Sequence, residues 1–148
     1  MCRLPVSLLT GLLISAVVAL PAAASPQQDA INQLNQQREA SGLPALRASD
    51  SLERSSTRYA RRMIATHYFG HASHIAASSA FGRIGETLEM HAGWKADPAQ
   101  TISAWMNSAG HRAVLMSGAY GWVGMGIARG KIGSRLVTVW VAHVGARR

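Results

Sequence analysis

Three short motifs in this chain carry residue types that could bind a metal ion or activate a water molecule. They are F-G-H at Phe69–His71, G-E-T at Gly85–Thr87 and W-M-N-S-A-G-H-R at Trp105–Arg112. Two imidazoles and one carboxylate, from His71, Glu86 and His111, form a ligand set that zinc accepts while leaving a position open for water. Such a water can be deprotonated near neutral pH and attack a carbonyl group.

Other interpretations of the same residues remain open. The three lie in separate segments, and the H-E-x-x-H helix signature of zinc proteases is absent. They could instead form a buried, hydrogen-bonded polar network that holds a long loop against the helices. Ser108 could meet His111 on one helical turn, but no G-x-S-x-G elbow surrounds it. We therefore interpret Ser108 as the N-cap of a short helix that contains His111.

The N-terminus has the pattern of a secretory signal peptide. Arg3 precedes an apolar run from Val6 to Leu20, and a P-A-A-A-S stretch follows. A basic start, an apolar centre and small residues before the cut are typical of exported proteins. We expect cleavage after Ala24, with an uncleaved anchor as the alternative. The run is too short for a good membrane span, so no transmembrane segment remains after cleavage.

Residues 25–148 are then expected to form a single domain with no cysteine, because Cys2 is the only one. Fourteen basic residues face seven acidic ones once Arg3 is removed, a formal charge of +7. Such a surface favours attraction to anionic envelope polymers or lipid headgroups. It is also compatible with a simply solvated surface. Nucleic acid is disfavoured as a partner because aromatic residues are not interleaved with the scattered arginines.

Helical patterns occupy the first half and the centre of the chain. Helices are predicted from Gln28 to Ser41, from a cap at Asp50 to about His67, and from a cap at Asp97. Residues 68–95 show no periodicity, and a short helix or strand around Glu86–His91 is left open. Two strands follow, Trp122–Arg129 and Leu136–Val144, joined by a hairpin. The second is apolar at almost every position, which requires cover on both faces.

The predicted fold class is therefore α+β, a three-layer α-β-α sandwich in which helices cover both faces of a small antiparallel sheet. The ordered motifs resemble the CAP superfamily of cysteine-rich secretory proteins, antigen 5 and plant pathogenesis-related proteins, in its bacterial, cysteine-free branch. The resemblance rests on N-x-x-R (Asn35–Arg38), G-L-P-A-L (Gly42–Leu46), F-G-H, G-E, W-x-x-S-x-G-H-R and V-G-M-G. It covers about Ile31 to Val144 and implies the same α-β-α sandwich.

The resemblance also implies a cleft of two histidines and two acidic residues. The first histidine, the first glutamate and the second histidine fall on His71, Glu86 and His111. The second acidic position falls on Ser108, and Glu89 could replace it from the next turn. Thr87 stands where asparagine is common. His67 and His74 are interpreted as surface histidines, His143 as a satisfied core histidine, and His91 and Trp94 as possible rim residues of the cleft.

These observations lead us to expect a secreted, periplasmic or envelope-associated protein, monomeric, that binds rather than catalyses. The resemblance implies a lipid- or sterol-like ligand, or a protein partner, and the site allows a divalent metal such as zinc. The alternative is a metal-assisted hydrolase that acts on peptides or a cell-wall polymer. A third class is an envelope scaffold that acts through its cationic surface.

Overall fold

A computed structural model describes residues 24–77 and 79–148 of the chain. Four helices and four strands follow one another as α1 (Pro26–Ala40), β1 (Arg47–Ala48), α2 (Asp50–Ala65), β2 (Phe81–Ala92), α3 (Pro98–Asn107), α4 (Ala109–Leu115), β3 (Trp122–Ile132) and β4 (Arg135–Arg147). The signal-peptide prediction falls almost wholly on residues 1–23, which lie outside the described residues. Within the described ranges, no helix is long and apolar enough to cross a membrane.

The four strands form one sheet in the order β1-β3-β4-β2. Strands β3 and β4 form the predicted hairpin, and β2 pairs antiparallel with the other side of β4. Two-residue β1 pairs parallel with β3, so the sheet is mixed rather than purely antiparallel as predicted. The chain passes from β1 directly into α2, and at this junction the Ser49 N–H donates to the Val123 carbonyl (2.8 Å).

Helices cover both faces of the sheet, which confirms the predicted α-β-α sandwich. On one face, buried side chains of β3 and β4 such as Met125 and Trp140 pack with α1, α3 and α4 in one apolar cluster. On the other face, α2 packs through Ala60 and Met63 against Leu88 and alternate residues of β4. The nearly unbroken apolar run of β4 thus reflects two buried faces, as the sequence indicated.

Strand β2 occupies twelve residues of the segment in which no period was visible. Its pattern is obscured because polar residues occupy several of its buried positions. Thr87 is fully buried, and His91 is buried with its Nε2 3.0 Å from Oγ1 of Thr101 in α3. A strand whose burial depends on tertiary partners shows no apolar alternation in its own sequence.

The N-termini of α1, α2 and α3 follow the capping rules, with one change of residue at α2. Ser25 and Asp97 accept hydrogen bonds from backbone N–H groups in the first turns of α1 and α3. The cap of α2 is Ser49, which is extended and accepts from the Leu52 N–H, and not Asp50 as predicted. Asp50 becomes the first helical residue, where its charge still favours the helix N-terminus.

The N-x-x-R motif of α1 joins distant segments through backbone carbonyls. Arg38 is almost fully buried and donates to the carbonyls of Pro44 (2.9 Å), Leu115 (2.6 Å), Ser117 (3.0 Å) and Tyr120 (3.4 Å). Burial lowers the pKa of Arg38. Since its partners are carbonyls at the end of α4 and in the two loops beside it, this arginine serves the fold and not the cleft.

Candidate functional site

The segment that follows α2 forms one wall of the candidate site; we call residues 68–76 the cleft loop. Helix α2 ends in a Schellman motif, in which the His67 N–H donates to the Ile64 carbonyl and the Tyr68 N–H to the Met63 carbonyl. His67 adopts the left-handed conformation with φ 52°, a position usually taken by glycine. The chain therefore turns back over α2 directly after the helix.

Side chains of α2 then tie the cleft loop in place. The Tyr59 hydroxyl donates to the Gly70 carbonyl (2.6 Å), and Nη2 of Arg58 donates to the Ala76 carbonyl (3.0 Å). Burial, followed by the nearby charge of Glu86, raises the pKa of Tyr59, so its hydroxyl stays protonated as a donor. The loop brings one predicted site residue, His71, into contact with another, Glu86 on β2.

Glu86 lies between two histidines. Its Oε1 is 2.9 Å from Nδ1 of His71 and accepts the backbone N–H of Ala72 (2.9 Å), while its Oε2 is 3.0 Å from Nε2 of His143. His143 Nδ1 lies 2.9 Å from the hydroxyl of Ser55 on α2. We call these four side chains, His71, Glu86, His143 and Ser55, the Glu86 network.

The network is buried except at one end. The side chains of Glu86 and His143 are 5% and 1% exposed, whereas that of His71 is 63% exposed. Burial on its own raises the pKa of Glu86, but the hydrogen bonds from His143, Ala72 and His71 outweigh it, and the pKa lies below its ordinary value. The carboxylate is therefore ionised near neutral pH.

The ionised Glu86 carboxylate determines which ring nitrogen of His143 carries a proton. Glu86 can only accept, so Nε2 of His143 must carry the proton that faces it. In neutral His143 the other nitrogen, Nδ1, is an acceptor, and the Ser55 hydroxyl donates a hydrogen bond to it. The order Ser–His–Glu is that of a serine hydrolase with the two ring nitrogens exchanged.

The location of Ser55, however, does not suit a nucleophile. The residue is 3% exposed and lies inside α2, where backbone N–H groups are used by the helix and offer no oxyanion site. Each polar atom of Glu86 and His143 already has a partner. The arrangement is a satisfied polar network of the kind that rigidifies a buried site.

His143 was interpreted from the sequence only as a core histidine, and Ser55 was not identified. Both are well buried, yet they complete the site. The register pairs Glu86 directly with His143 on β4, and this pairing is not visible in the sequence. The available signals were a lone histidine in an apolar strand and a serine on the buried face of α2.

His111 occupies a different place from the one the sequence suggested. It is half-buried on α4, whose Leu115 packs into the cluster on the face of the sheet opposite α2. His111 forms no hydrogen bond with His71 or Glu86, and its buried Nδ1 has no hydrogen-bond partner. The structure therefore brings together two of the three predicted residues.

The secondary candidates are also dispersed. Ser108 lies between α3 and α4 with an extended backbone, but its side chain makes no cap hydrogen bond. Glu89 is three residues from Glu86 on a strand rather than one helical turn away. It therefore projects to the opposite face, next to Trp140 in the register. Thr87 is also on that face, and its buried Oγ1 has no partner.

The donors do not fit a zinc ion. Across residues 24–77 and 79–148, no three or more histidine, cysteine or acidic side chains are placed to hold a metal. Both oxygens of Glu86 already accept hydrogen bonds, and His71 and His143 direct their nearer nitrogens at them rather than at a shared point. No chemical step through a metal follows from this geometry.

A cleft opens beside the network, between α2 and the cleft loop. Its volume is about 410 Å³, and its walls include Tyr59, Arg62, Met63, Tyr68 and His74. A smaller space of about 150 Å³ adjoins it; Arg58 and His143 lie in its wall. His71 is the member of the Glu86 network that faces the larger space.

The fold and the site together define an α-β-α sandwich with a carboxylate held between two histidines beside an open cleft. The model of the cysteine-rich secretory protein family, abbreviated CAP, matches residues 31–144. The chain belongs to this family. Among curated proteins, none matches the sequence.

Solved structures show the same fold. An outer surface protein of Borrelia burgdorferi superposes with a TM-score of 0.65 at 19% identity, covering 82% of this chain and 92% of that one. An extracellular protein with an SCP domain from Bacillus anthracis gives 0.65 at 19% identity, covering 82% of this chain but only 40% of that longer one. Venom allergen-like protein 4 of Schistosoma mansoni gives 0.63 at 11% identity, covering 85% and 91%.

Proposed function

We propose that this protein is a non-catalytic CAP domain that binds a lipid-like molecule with an anionic headgroup in the cleft between α2 and the cleft loop. One observation carries the proposal. Arg62 is the cationic side chain in the wall of this cleft, and Arg58 lies in the wall of the adjoining smaller space. No described carboxylate lines either space, and Glu86 is buried beside them with both oxygens hydrogen-bonded.

The size and lining of the cleft support a small amphiphile. A volume of about 410 Å³ lies within the usual range for small-molecule sites. Tyr59 and Tyr68 offer ring surface, and Arg62 and His74 lie in the same wall. A guanidinium recognises phosphate or carboxylate through paired N–H groups, so Arg62 is the expected headgroup contact.

Binding is favoured over catalysis because the acid and base groups are occupied. A general base must be within reach of the proton it abstracts. Here Glu86 and His143 are turned toward each other, and the second ring nitrogen of His143 is turned toward Ser55. Metal binding by His71 and Glu86, and with it the metal-assisted hydrolysis of peptides or cell-wall polymer, stays a sequence prediction that this geometry does not favour.

We further propose that the domain acts outside the cytoplasm, secreted or in the envelope. The N-terminal segment supports export, with its basic start, apolar centre and small residues up to Ala24. The Borrelia protein is an outer surface protein and the Bacillus protein is extracellular, which agrees with that location.

Titration of the purified domain with an anionic fluorescent fatty acid tests the ligand proposal. We expect one probe per chain and a Kd about five- to tenfold higher for Arg62→Gln, because a charge-assisted hydrogen bond is lost. Arg61→Gln is the matched control, since Arg61 is exposed on the same helix but lies in neither cleft wall. Equal losses in both variants, or no saturable binding, would refute the cleft as the ligand site.

A further inference from the structure

The outer face of α2 carries four arginines, which we call the α2 basic face: Arg54, Arg58, Arg61 and Arg62. All four are exposed. The first three are spaced by four and three residues, so they lie along one side of the helix, opposite the buried Leu52 and Met63. The face is therefore a continuous row of guanidinium groups on the surface of the domain.

These charges have no acidic partners. In the described part of the chain, every ion pair involves either Glu86 or Asp97, and none includes an arginine. The acidic residues of α2 itself, Asp50 and Glu53, are in its first turn. Like charges one turn apart destabilise a helix slightly, so the row is unfavourable for the isolated domain. An anionic partner would remove that repulsion.

Two exposed aromatic residues lie at the end of this face. Tyr68 and Phe69 follow α2 directly, and they are 59% and 36% exposed. Tyr68 shares the wall of the larger cleft with Arg62, so one ring of the pair and one arginine of the basic face meet at the cleft. Arginines beside exposed aromatic rings are the side chains that lie at the headgroup level of membranes.

We propose that the α2 basic face, together with Tyr68 and Phe69, docks on a lipid bilayer that carries anionic headgroups. The guanidinium groups contact lipid phosphates, and the two rings enter the headgroup layer. The cleft then opens at the membrane surface. This docking goes beyond the proposed function, since it holds whether or not a ligand occupies the cleft.

A soluble polyanion is the competing partner, and the aromatic pair argues against it. Long-range attraction to a polymer needs charge alone, whereas two large exposed rings next to the charges favour an interface with an apolar interior. Another cationic cluster, formed by Arg47 and Arg147, has a different character. There the guanidiniums of Arg47 and Arg147 lie 5.7 and 4.1 Å from the ring centroid of Trp122, so its aromatic ring is already covered.

Vesicle co-sedimentation of the mature chain tests the proposal. We expect binding to vesicles of phosphatidylglycerol and phosphatidylcholine, no binding to phosphatidylcholine alone, and loss of binding at high salt. The double variant R54Q/R61Q should bind at least tenfold more weakly, because each basic residue near an anionic surface adds measurably to affinity. Neither arginine lies in a cleft wall, so binding of the soluble fatty acid should not change.

The charge-matched control is R83Q/R135Q, two exposed arginines on strands β2 and β4. This double variant should retain most of the vesicle affinity. If both double variants weaken vesicle binding equally, the effect belongs to net charge and the docking face is refuted.

Phe69→Ser separates a membrane from a soluble polyanion, since Phe69 is exposed and lies in neither cleft wall. It should weaken vesicle binding several-fold and leave binding to sodium polyphosphate unchanged. If R54Q/R61Q weakens vesicle and polyphosphate binding alike while Phe69→Ser changes neither, the partner is a polymer and the membrane proposal is wrong. Unchanged vesicle binding in R54Q/R61Q overturns it as well.

Discussion

At the residue scale, one glutamate, Glu86, connects the elements that form the site. Glu86 receives donors from the cleft loop, through His71 and the Ala72 N–H, and from β4, through His143. Because His143 also contacts Ser55, the same network reaches α2. Burying a carboxylate is tolerated only when its oxygens are paired, and here the pairing joins three elements.

The downward shift of the Glu86 pKa determines how the stability of the domain responds to acid. Its folded pKa lies below the ordinary value, so the ionised form stabilises the fold above the unfolded pKa of about 4.3. That contribution is lost as the pH falls through the folded pKa. Below both the folded and the unfolded pKa, the charge of Glu86 no longer adds to the stability of the folded state.

Glu86→Gln should therefore flatten the dependence of stability on pH. We expect the variant to be less stable than the parent at pH 7, by about 1–3 kcal/mol, with the difference shrinking below about pH 4. Urea unfolding over a pH series measures both effects. Glu89→Gln is the control, because Glu89 makes no ion pair with any described residue, and it should follow the parent curve. Parallel profiles for the parent and Glu86→Gln would contradict the assignment of the acid response to Glu86.

At the element scale, the cleft depends on how closely α2 approaches the sheet. A Cβ atom on Gly124 would collide with the backbone of Leu52 and Glu53, and one on Gly126 with the backbone of Ser56 and Thr57. The V-G-M-G strand thus leaves room for helix backbone rather than for side chains. This contact holds Ser55 against His143 and sets the wall of the cleft.

Gly124→Ala should disturb this packing. Because the obstacle is backbone and not a flexible side chain, we expect a loss of about 1–3 kcal/mol in the free energy of unfolding. Fatty-acid binding should weaken as well, since α2 must move. Gly110→Ala is the matched control: it lies in α4 with open space around its Cβ position, and its stability should be unchanged or slightly higher. Equal stability of both variants would show that the close approach is not required.

At the scale of the whole molecule, the net positive charge is compatible with the proposed export. The sequence carries a formal charge of +8, and in the described residues its arginines are not used in ion pairs with carboxylates. Positive charge left free on the surface suits an environment rich in anionic polymers or lipids. Ser25, the first residue after the expected cut, already caps α1.

Cleavage after Ala24 should therefore leave every described helix and strand intact. We expect intact-mass measurement of exported protein to give a chain that begins at Ser25. The protein produced without export should retain its N-terminal residues and serves as the control. A secreted chain that retains residues 1–24 would show that the apolar segment is an anchor.

Much of the architecture could be predicted from local pattern. Apolar residues at helical spacing located α2, the capping residue Asp97 located the start of α3, and the unbroken apolar run of β4 required helices on both sides of the sheet. The family motifs then agreed with the family that matches residues 31–144. These features are readable because each depends on neighbours within a few residues along the chain.

Tertiary structure alone decided which polar groups meet. His143 is 57 residues from Glu86 and 88 from Ser55 along the chain, and only the register of β4 against β2 and the seating of α2 bring them together. The same folding placed His111 on α4, whose apolar side packs against the other face of the sheet. The spacing of apolar residues along a segment indicates which of its residues are buried. Hydrogen-bond partners are set by strand register and helix packing, and these depend on segments that are far apart in the sequence.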